Sequence, residues 1–191
     1  DAFQRASLDP RQHIVYVTDP GSPLAAVEQD GYRVVLADPH VGGRFSALTA
    51  FGIVPTVLAG AHLENLVEDA RIASAALQVD SPENPALRLA AAIAGALPER
   101  YVLLLTEAAE QRWGLGDWIE QLVAESTGKE GVGVLPIVIE PGAHELDQPP
   151  ANSLRVHLGN PDEITAASEV DIVVDAPLGA QLILWEVTTA A

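Results

Sequence analysis

A chain of 191 residues has room for one large domain or two small ones, and 48% hydrophobic residues with clear periodicity exclude a disordered chain. A formal charge of −17 excludes sequence-independent nucleic-acid binding, which depends on clustered Lys and Arg. Cysteine is absent, which excludes disulfides and thiolate metal sites.

The acidic excess is uneven, at −5 over residues 1–98 and −12 over residues 99–191. The absence of cysteine fits a cytoplasmic protein. Asp1 to Arg5 carries no apolar signal-peptide core. The longest nearly apolar run, Ala47 to His62, is short for a membrane span and is broken by Gly52 and Pro55, so it predicts a buried helix. Methionine is missing altogether, and the chain is expected to be a piece of something longer.

In chain order, His13 to Thr18 predicts a strand stopped by Asp19-Pro20-Gly21. Ser22 is an expected N-cap with Pro23 at the first helical position, and that helix runs to about Gln29. Arg33 to Ala37 is the next strand, followed by a glycine turn and a helix from Ser46 to Gly60. Leu63 to Gln78 has apolar residues at helical spacing. A third helix is expected from Ser81-Pro82-Glu83 to about Leu97-Pro98.

Arg100 to Thr106 then opens a second α/β unit. Gly116 to Thr127 is amphipathic, with Gly128 where a helix C-terminus favours glycine. Val132 to Ile139 is a strand, and Ala143 to Asn152 a loop. Leu154 to Leu158 and Val170 to Val174 are strands around a short helix, Pro161 to Ala167, and Pro177 to Ala190 is the last helix. Apolar strands alternating with helices predict an α/β fold with parallel, covered sheets.

Two stretches carry candidate chemistry. In Val41-Gly42-Gly43-Arg44-Phe45-Ser46, a glycine turn follows a strand and precedes a helix, which would set one cation and several backbone N–H groups at a sheet's carboxyl end. Helix N-termini and the carboxyl ends of parallel strands both suit anions. Arg44 is either a surface arginine on a turn or the group that stabilises a developing oxyanion, with glycines letting the backbone approach the ligand. The second stretch places Gln121, Glu125 and Lys129 at i, i+4, i+8 on one helical face, flanked by Trp118, Ile119 and Leu122. The bland reading is an exposed Glu–Lys pair worth about 0.3–0.5 kcal/mol. The sharper one makes Glu125 a general base, held by Gln121, shielded by the apolar stripe and tuned by burial.

Other motifs fail. Gly114-Leu115-Gly116 lacks a third glycine, and Gly128-Lys129 has Val123 where a phosphate-binding loop needs glycine. His13, His40, His62, His144 and His157 show no zinc spacing, although His40 lies beside the glycine turn. No Gly-x-Ser-x-Gly elbow is present. Asp171 and Asp175 flank a strand and are expected to be a cap and a strand-end residue.

Val17 to Leu24, then Ala37 to Leu48 with Gly42-Gly43-Arg44-Phe45-Ser46, and finally Gln121 with Glu125-Ser126-Thr127-Gly128-Lys129 resemble glucose-6-phosphate isomerase. The likeness is greatest to the isomerase module of bacterial transaldolase fusions, and it extends to the Leu184-Trp185-Glu186 helix. The resemblance implies two sugar-isomerase (SIS) domains in three layers (α/β/α). Residues 1–98 would be the end of the first with connecting helices, and 99–191 most of the second. It implies interconversion of glucose 6-phosphate and fructose 6-phosphate without metal or cofactor, in a cytoplasmic parent for which a homodimer is a common family state. A sugar phosphate is the expected partner; nucleic acid and membrane are not.

By the same resemblance Glu125 moves the proton between C1 and C2 through a cis-enediol, Arg44 stabilises the enediolate, and Gln121 with the Gly43 backbone positions the substrate. The family's Ser/Thr-rich phosphate loops lie upstream of the first strand seen here, and its late lysine would follow Ala191. For its ring-opening histidine His144 and His157 are the candidates, although both sit in surroundings different from the family's. An internal fragment, inactive alone, is therefore expected. The alternatives are a non-catalytic SIS-type sugar-phosphate-binding regulator and an isomerase that also accepts mannose 6-phosphate.

Overall fold

The computed structural model describes residues 2–107, 114–140, 142–163 and 171–191. Its contacts form two compact units, Asp1–Leu63 and Glu64–Ala191. Residues 64–98, read from the sequence as helices closing the first half, make their contacts within the second unit.

In the first unit a short helix α1 (Ala2–Arg5) leads to a 3-10 turn, Pro10–Gln12, capped by the Asp9 carboxylate. Strand β1 (Val15–Thr18) pairs in parallel with β2 (Arg33–Leu36), in a register running from Val15 opposite Arg33 to Thr18 opposite Leu36. Between them Pro23–Asp30 is 3-10 helix. Ser22 Oγ accepts from Leu24 N at 3.2 Å, the N-cap the sequence predicts, and Gly31, at φ 86°, closes the turn in the left-handed region.

Helix α2 (Ala50–Leu58) begins later than Ser46. Hydroxyls compete for the backbone there: Ser46 Oγ donates to Gly43 O at 2.6 Å, and Thr49 Oγ1 donates to Ser46 O at 2.8 Å while accepting from Phe51 N. Thr49 is thus the N-cap. Gly52 follows because a Cβ there would collide with the Ala47 carbonyl.

The second unit holds a four-stranded, wholly parallel sheet in the order β4-β3-β5-β6. Its strands are β3 (Val102–Glu107), β4 (Leu135–Val138), β5 (Ser153–Leu158) and β6 (Ile172–Val174). Its helices are α3 (Leu63–Leu77), α4 (Pro85–Ala94), α5 (Leu115–Thr127), a short α6 (His144–Asp147) inside the expected loop, and α7 (Leu178–Ala190). Successive residues of β3 point to opposite faces, yet Val102 through Thr106 are all buried, so this central strand is covered on both sides. The core gathers Leu103, Leu105 and Val156 of the sheet with Ile119 and Leu122 of α5 and Trp185 of α7. The expected helix Pro161 to Ala167 is seen only as a 3-10 turn, Pro161–Glu163. The rest of it and Val170 lie outside the described residues.

Helix α4 starts at Pro85, not near Ser81, because one buried amide does two tasks. Asn84 Oδ1 accepts from Ala86 N at 2.9 Å and Leu87 N at 3.4 Å, while its Nδ2 donates to Leu77 O at 3.0 Å and Val79 O at 2.9 Å. It caps α4 and closes α3 together. Gly128 ends α5 as expected but at φ −71°, so handedness does not explain it. A Cβ on it would lie 3.1 Å from the Ala124 carbonyl oxygen, and it is Gly133 that close approach requires to be glycine, since a Cβ there would lie 2.8 Å from Gly128 Cα. The left-handed positions are Glu130 (φ 55°) and Gly131 (φ 80°). They form a tight turn closed by Lys129 N to Val132 O and Val132 N to Lys129 O, both 3.0 Å, which delays β4 to Leu135.

Asp171, expected as a cap, clasps two strands. Its Oδ2 accepts from Arg155 N at 2.8 Å, and its Oδ1 lies 3.8 Å from Arg100.

On α7 the Glu186 carboxyl is half-buried, its Oε1 has no hydrogen-bond partner among the described residues, and desolvation pushes its pKa up from 4.5 to about 7. Between those values the folded chain keeps a proton that the unfolded chain has released, so stability falls as pH rises. Glu186→Gln should be neutral below pH 4.5 and stabilise by about 1 kcal/mol above pH 7, after discounting for partial exposure. Urea unfolding at pH 4 and pH 8 reads this directly, and an equal effect at both would refute it.

Candidate active site

The first candidate group follows β2. Asp38 Oδ1 accepts from His40 N at 2.9 Å, turning the chain after the strand. Gly43–Phe45 is then a single 3-10 turn, with Phe45 N donating to Gly42 O at 2.9 Å. The α-helix itself begins only at Ala50, so the glycine amides do not head a helix as the sequence suggested. Arg44 is the middle residue of the turn, its guanidinium carbon 5.4 Å from the centroid of the Phe45 ring.

Gly42 lies at φ −65°, and neither it nor Gly43 is left-handed. A Cβ added at either would meet no atom of the described residues within 4 Å. The fold of the chain therefore does not itself demand glycine at 42 and 43. Asp19, just past the carboxyl end of β1, has one buried carboxylate oxygen without a hydrogen-bond partner among the described residues.

The second candidate group is on α5. Gln121 Nε2 donates to Glu125 Oε1 at 3.2 Å, so the i, i+4 spacing does bring these two side chains together. Both are exposed. The shielding expected from Trp118, Ile119 and Leu122 is not seen, because Ile119 and Leu122 face the sheet core on the other side of the helix. The helix is tied at both ends. Glu107 Oε1, at the carboxyl end of β3, accepts from Gly116 N at 2.6 Å. Thr127 Oγ1 accepts from Val134 N at 3.1 Å, just before β4. Glu125 therefore lies toward the amino edge of its sheet, whereas Arg44 follows the carboxyl end of β2. Arg44 and Gly43 belong to the first unit, Gln121 and Glu125 to the second.

Glu107 and Thr127 give only a weak signal in sequence, as a strand-end carboxylate and a helix-end threonine. His157 is a core residue whose Nδ1 lies 3.2 Å from Thr106 Oγ1 on the neighbouring strand. Its Nε2 is buried without a hydrogen-bond partner among the described residues. His144 lies on α6. A cavity of about 460 Å³ in the second unit is lined by apolar residues such as Ala73, Leu77, Leu89, Val173 and Leu184, and by none of the four candidate residues. Among the described residues no three His, Asp or Glu are grouped to hold a metal ion, and no helix is long and apolar enough to cross a membrane.

No protein-family model matches the chain. A crystal structure of a hypothetical protein from Thermus thermophilus superposes with a TM-score of 0.76 at 22% identity, covering 94% of this chain and 57% of that one, which shows a shared fold. The glucose-6-phosphate isomerase of Carboxydothermus hydrogenoformans is 37% identical over 123 residues, 62% of this chain and 26% of the relative. The probable glucose-6-phosphate isomerase of Haloarcula marismortui is 34% identical over 139 residues, 71% and 32% respectively. That of Methanococcus maripaludis is 27% identical over 164 residues, 84% and 36%. Over most of its length this chain is thus a relative of proteins consistently named glucose-6-phosphate isomerase, and it spans about a third or less of most of them.

Proposed function

We propose that the chain is an internal part of an aldose–ketose isomerase that interconverts glucose 6-phosphate and fructose 6-phosphate. Residues 1–98 would be the end of a first SIS-type domain and 99–191 most of a second, in a cytoplasmic, homodimeric parent working without metal or cofactor. The observation that carries the reading is the Gln121–Glu125 hydrogen bond at 3.2 Å within the motif that resembles the family's. An amide N–H donating to the carboxylate fixes the direction of the side chain.

In the open-chain aldose, the Glu125 carboxylate takes the proton from C2. The C–H electron pair forms the C1=C2 double bond, and the carbonyl electrons move to the C1 oxygen. Arg44 stabilises that enediolate charge, while the Gly43 backbone and Gln121 position the sugar. The hydroxyl proton passes from the C2 oxygen to the adjacent C1 oxygen of the cis-enediol, and Glu125 returns its proton to C1 as the ketone forms at C2. The glycine pair supports this role, since a close approach by ligand gives a reason for glycine that the chain's own packing does not.

The exposure of Gln121 and Glu125 favours a second reading, a non-catalytic module that binds a sugar phosphate and regulates a partner. Fructose 6-phosphate formation, measured for the encoded full-length protein beside this chain, separates the two. The expected result is turnover by the former and none by the latter. The 191 residues lack a counterpart of the Ser/Thr-rich phosphate loops, and phosphate binding supplies much of the positioning that such catalysis uses. Turnover by the chain alone refutes the fragment reading. Sugar-phosphate binding without turnover in the full-length protein refutes the isomerase.

A further inference from the structure

Glu125 stands two residues before the end of α5, on the side of the helix turned from the core. Its place in space therefore depends on where the last helical turn lies, and helix ends leave carbonyls unsatisfied and fray. One hydroxyl counters this. Thr127 Oγ1 donates to Val123 O one turn back at 2.9 Å and accepts from Val134 N at 3.1 Å. Val134 is buried, so that N–H depends on an acceptor inside the protein.

The turn from Lys129 to Val132 brings the two segments side by side. Lys129 N donates to Thr127 O at 2.8 Å. Gly133 passes Gly128 so closely that its Cβ would meet Gly128 Cα at 2.8 Å and Thr127 O at 3.2 Å.

We propose that Thr127 is a positioning residue for Glu125, locking the last turn of α5 to the strand that follows it. The proposal rests on Glu125 being the base. Serine or threonine at 127 supplies the hydroxyl; valine, of the same shape, does not.

In the full-length protein Thr127→Val should lower kcat about tenfold with KM little changed, because small displacements of a reacting group cost rate more than binding. Thr127→Ser should restore kcat to within about twofold. A folded Thr127→Val protein with unaltered kcat overturns the proposal, as does a Thr127→Ser protein as impaired as Thr127→Val.

A second measurement needs neither turnover nor a variant. In the unaltered chain, the Val134 amide resonance should follow the titration of the Glu125 side-chain carboxyl carbon, because the Thr127 hydroxyl joins the two segments. A Val134 resonance that stays still through that titration also overturns it. If the full-length protein shows no turnover, the isomerase reading fails and the Val134 response alone decides the Thr127–Glu125 coupling.

Discussion

Glu125→Gln in the full-length protein should lower isomerase turnover by about 10²–10⁴-fold while sugar-phosphate affinity stays near that of the unaltered protein. The substitution keeps the length and shape of the side chain. Its new amide oxygen can still accept from Gln121 Nε2, which in the unaltered chain donates to Glu125 Oε1 at 3.2 Å. What disappears is the ability to take a proton from carbon. A group that acts in the transition state alone lowers kcat and kcat/KM together and leaves ground-state binding in place. Steady-state kinetics with direct binding measurements separates these quantities. Loss of solvent-deuterium incorporation at C2 of the recovered sugar reports the proton step itself. Full turnover by the variant sinks Glu125 as the base, whereas loss of affinity with little loss of kcat makes it a binding residue.

Gly179→Ala should destabilise the second unit by about 3 kcal/mol or more, a large part of the 5–15 kcal/mol that holds a typical domain together. Gly179 lies in the first turn of α7, against α3. A Cβ built on it would overlap the Leu66 carbonyl and lie 3.1 Å from Ala70 N. Those are backbone atoms of another helix, so no side chain can rotate away, and relief requires the two helices to separate. Gly42→Ala is the matched control, since its φ of −65° suits alanine and a Cβ there meets no atom of the described residues within 4 Å. Urea unfolding followed by circular dichroism compares them. Equal midpoints for Gly179→Ala and the unaltered chain would show that the helices accommodate the extra methyl.

The sequence made the α/β class and the parallel pairing legible because apolar strands such as Val102 to Leu105 alternate with helical periodicity, and both sheets are parallel. Ser22 behaves as a local signal should, because capping depends on neighbours within a few residues. What stayed hidden depends on contacts across the chain. Asn84 starts α4 because it also reaches back to Leu77 and Val79, and Gly133 is glycine because it passes close to Gly128. At the candidate site, spacing alone foretold the meeting of Gln121 and Glu125. It did not foretell their exposure, since the side of α5 that faces the core is fixed by the sheet against which Ile119 and Leu122 pack.

Asn84 has a further consequence for how the second unit opens. The same amide holds the last carbonyl of α3 and the first N–H groups of α4. Melting either helix end strips partners from the other, which removes independent fraying at this corner. The α3–α4 corner is thus a single cooperative element, whose amides exchange with solvent in one shared opening event.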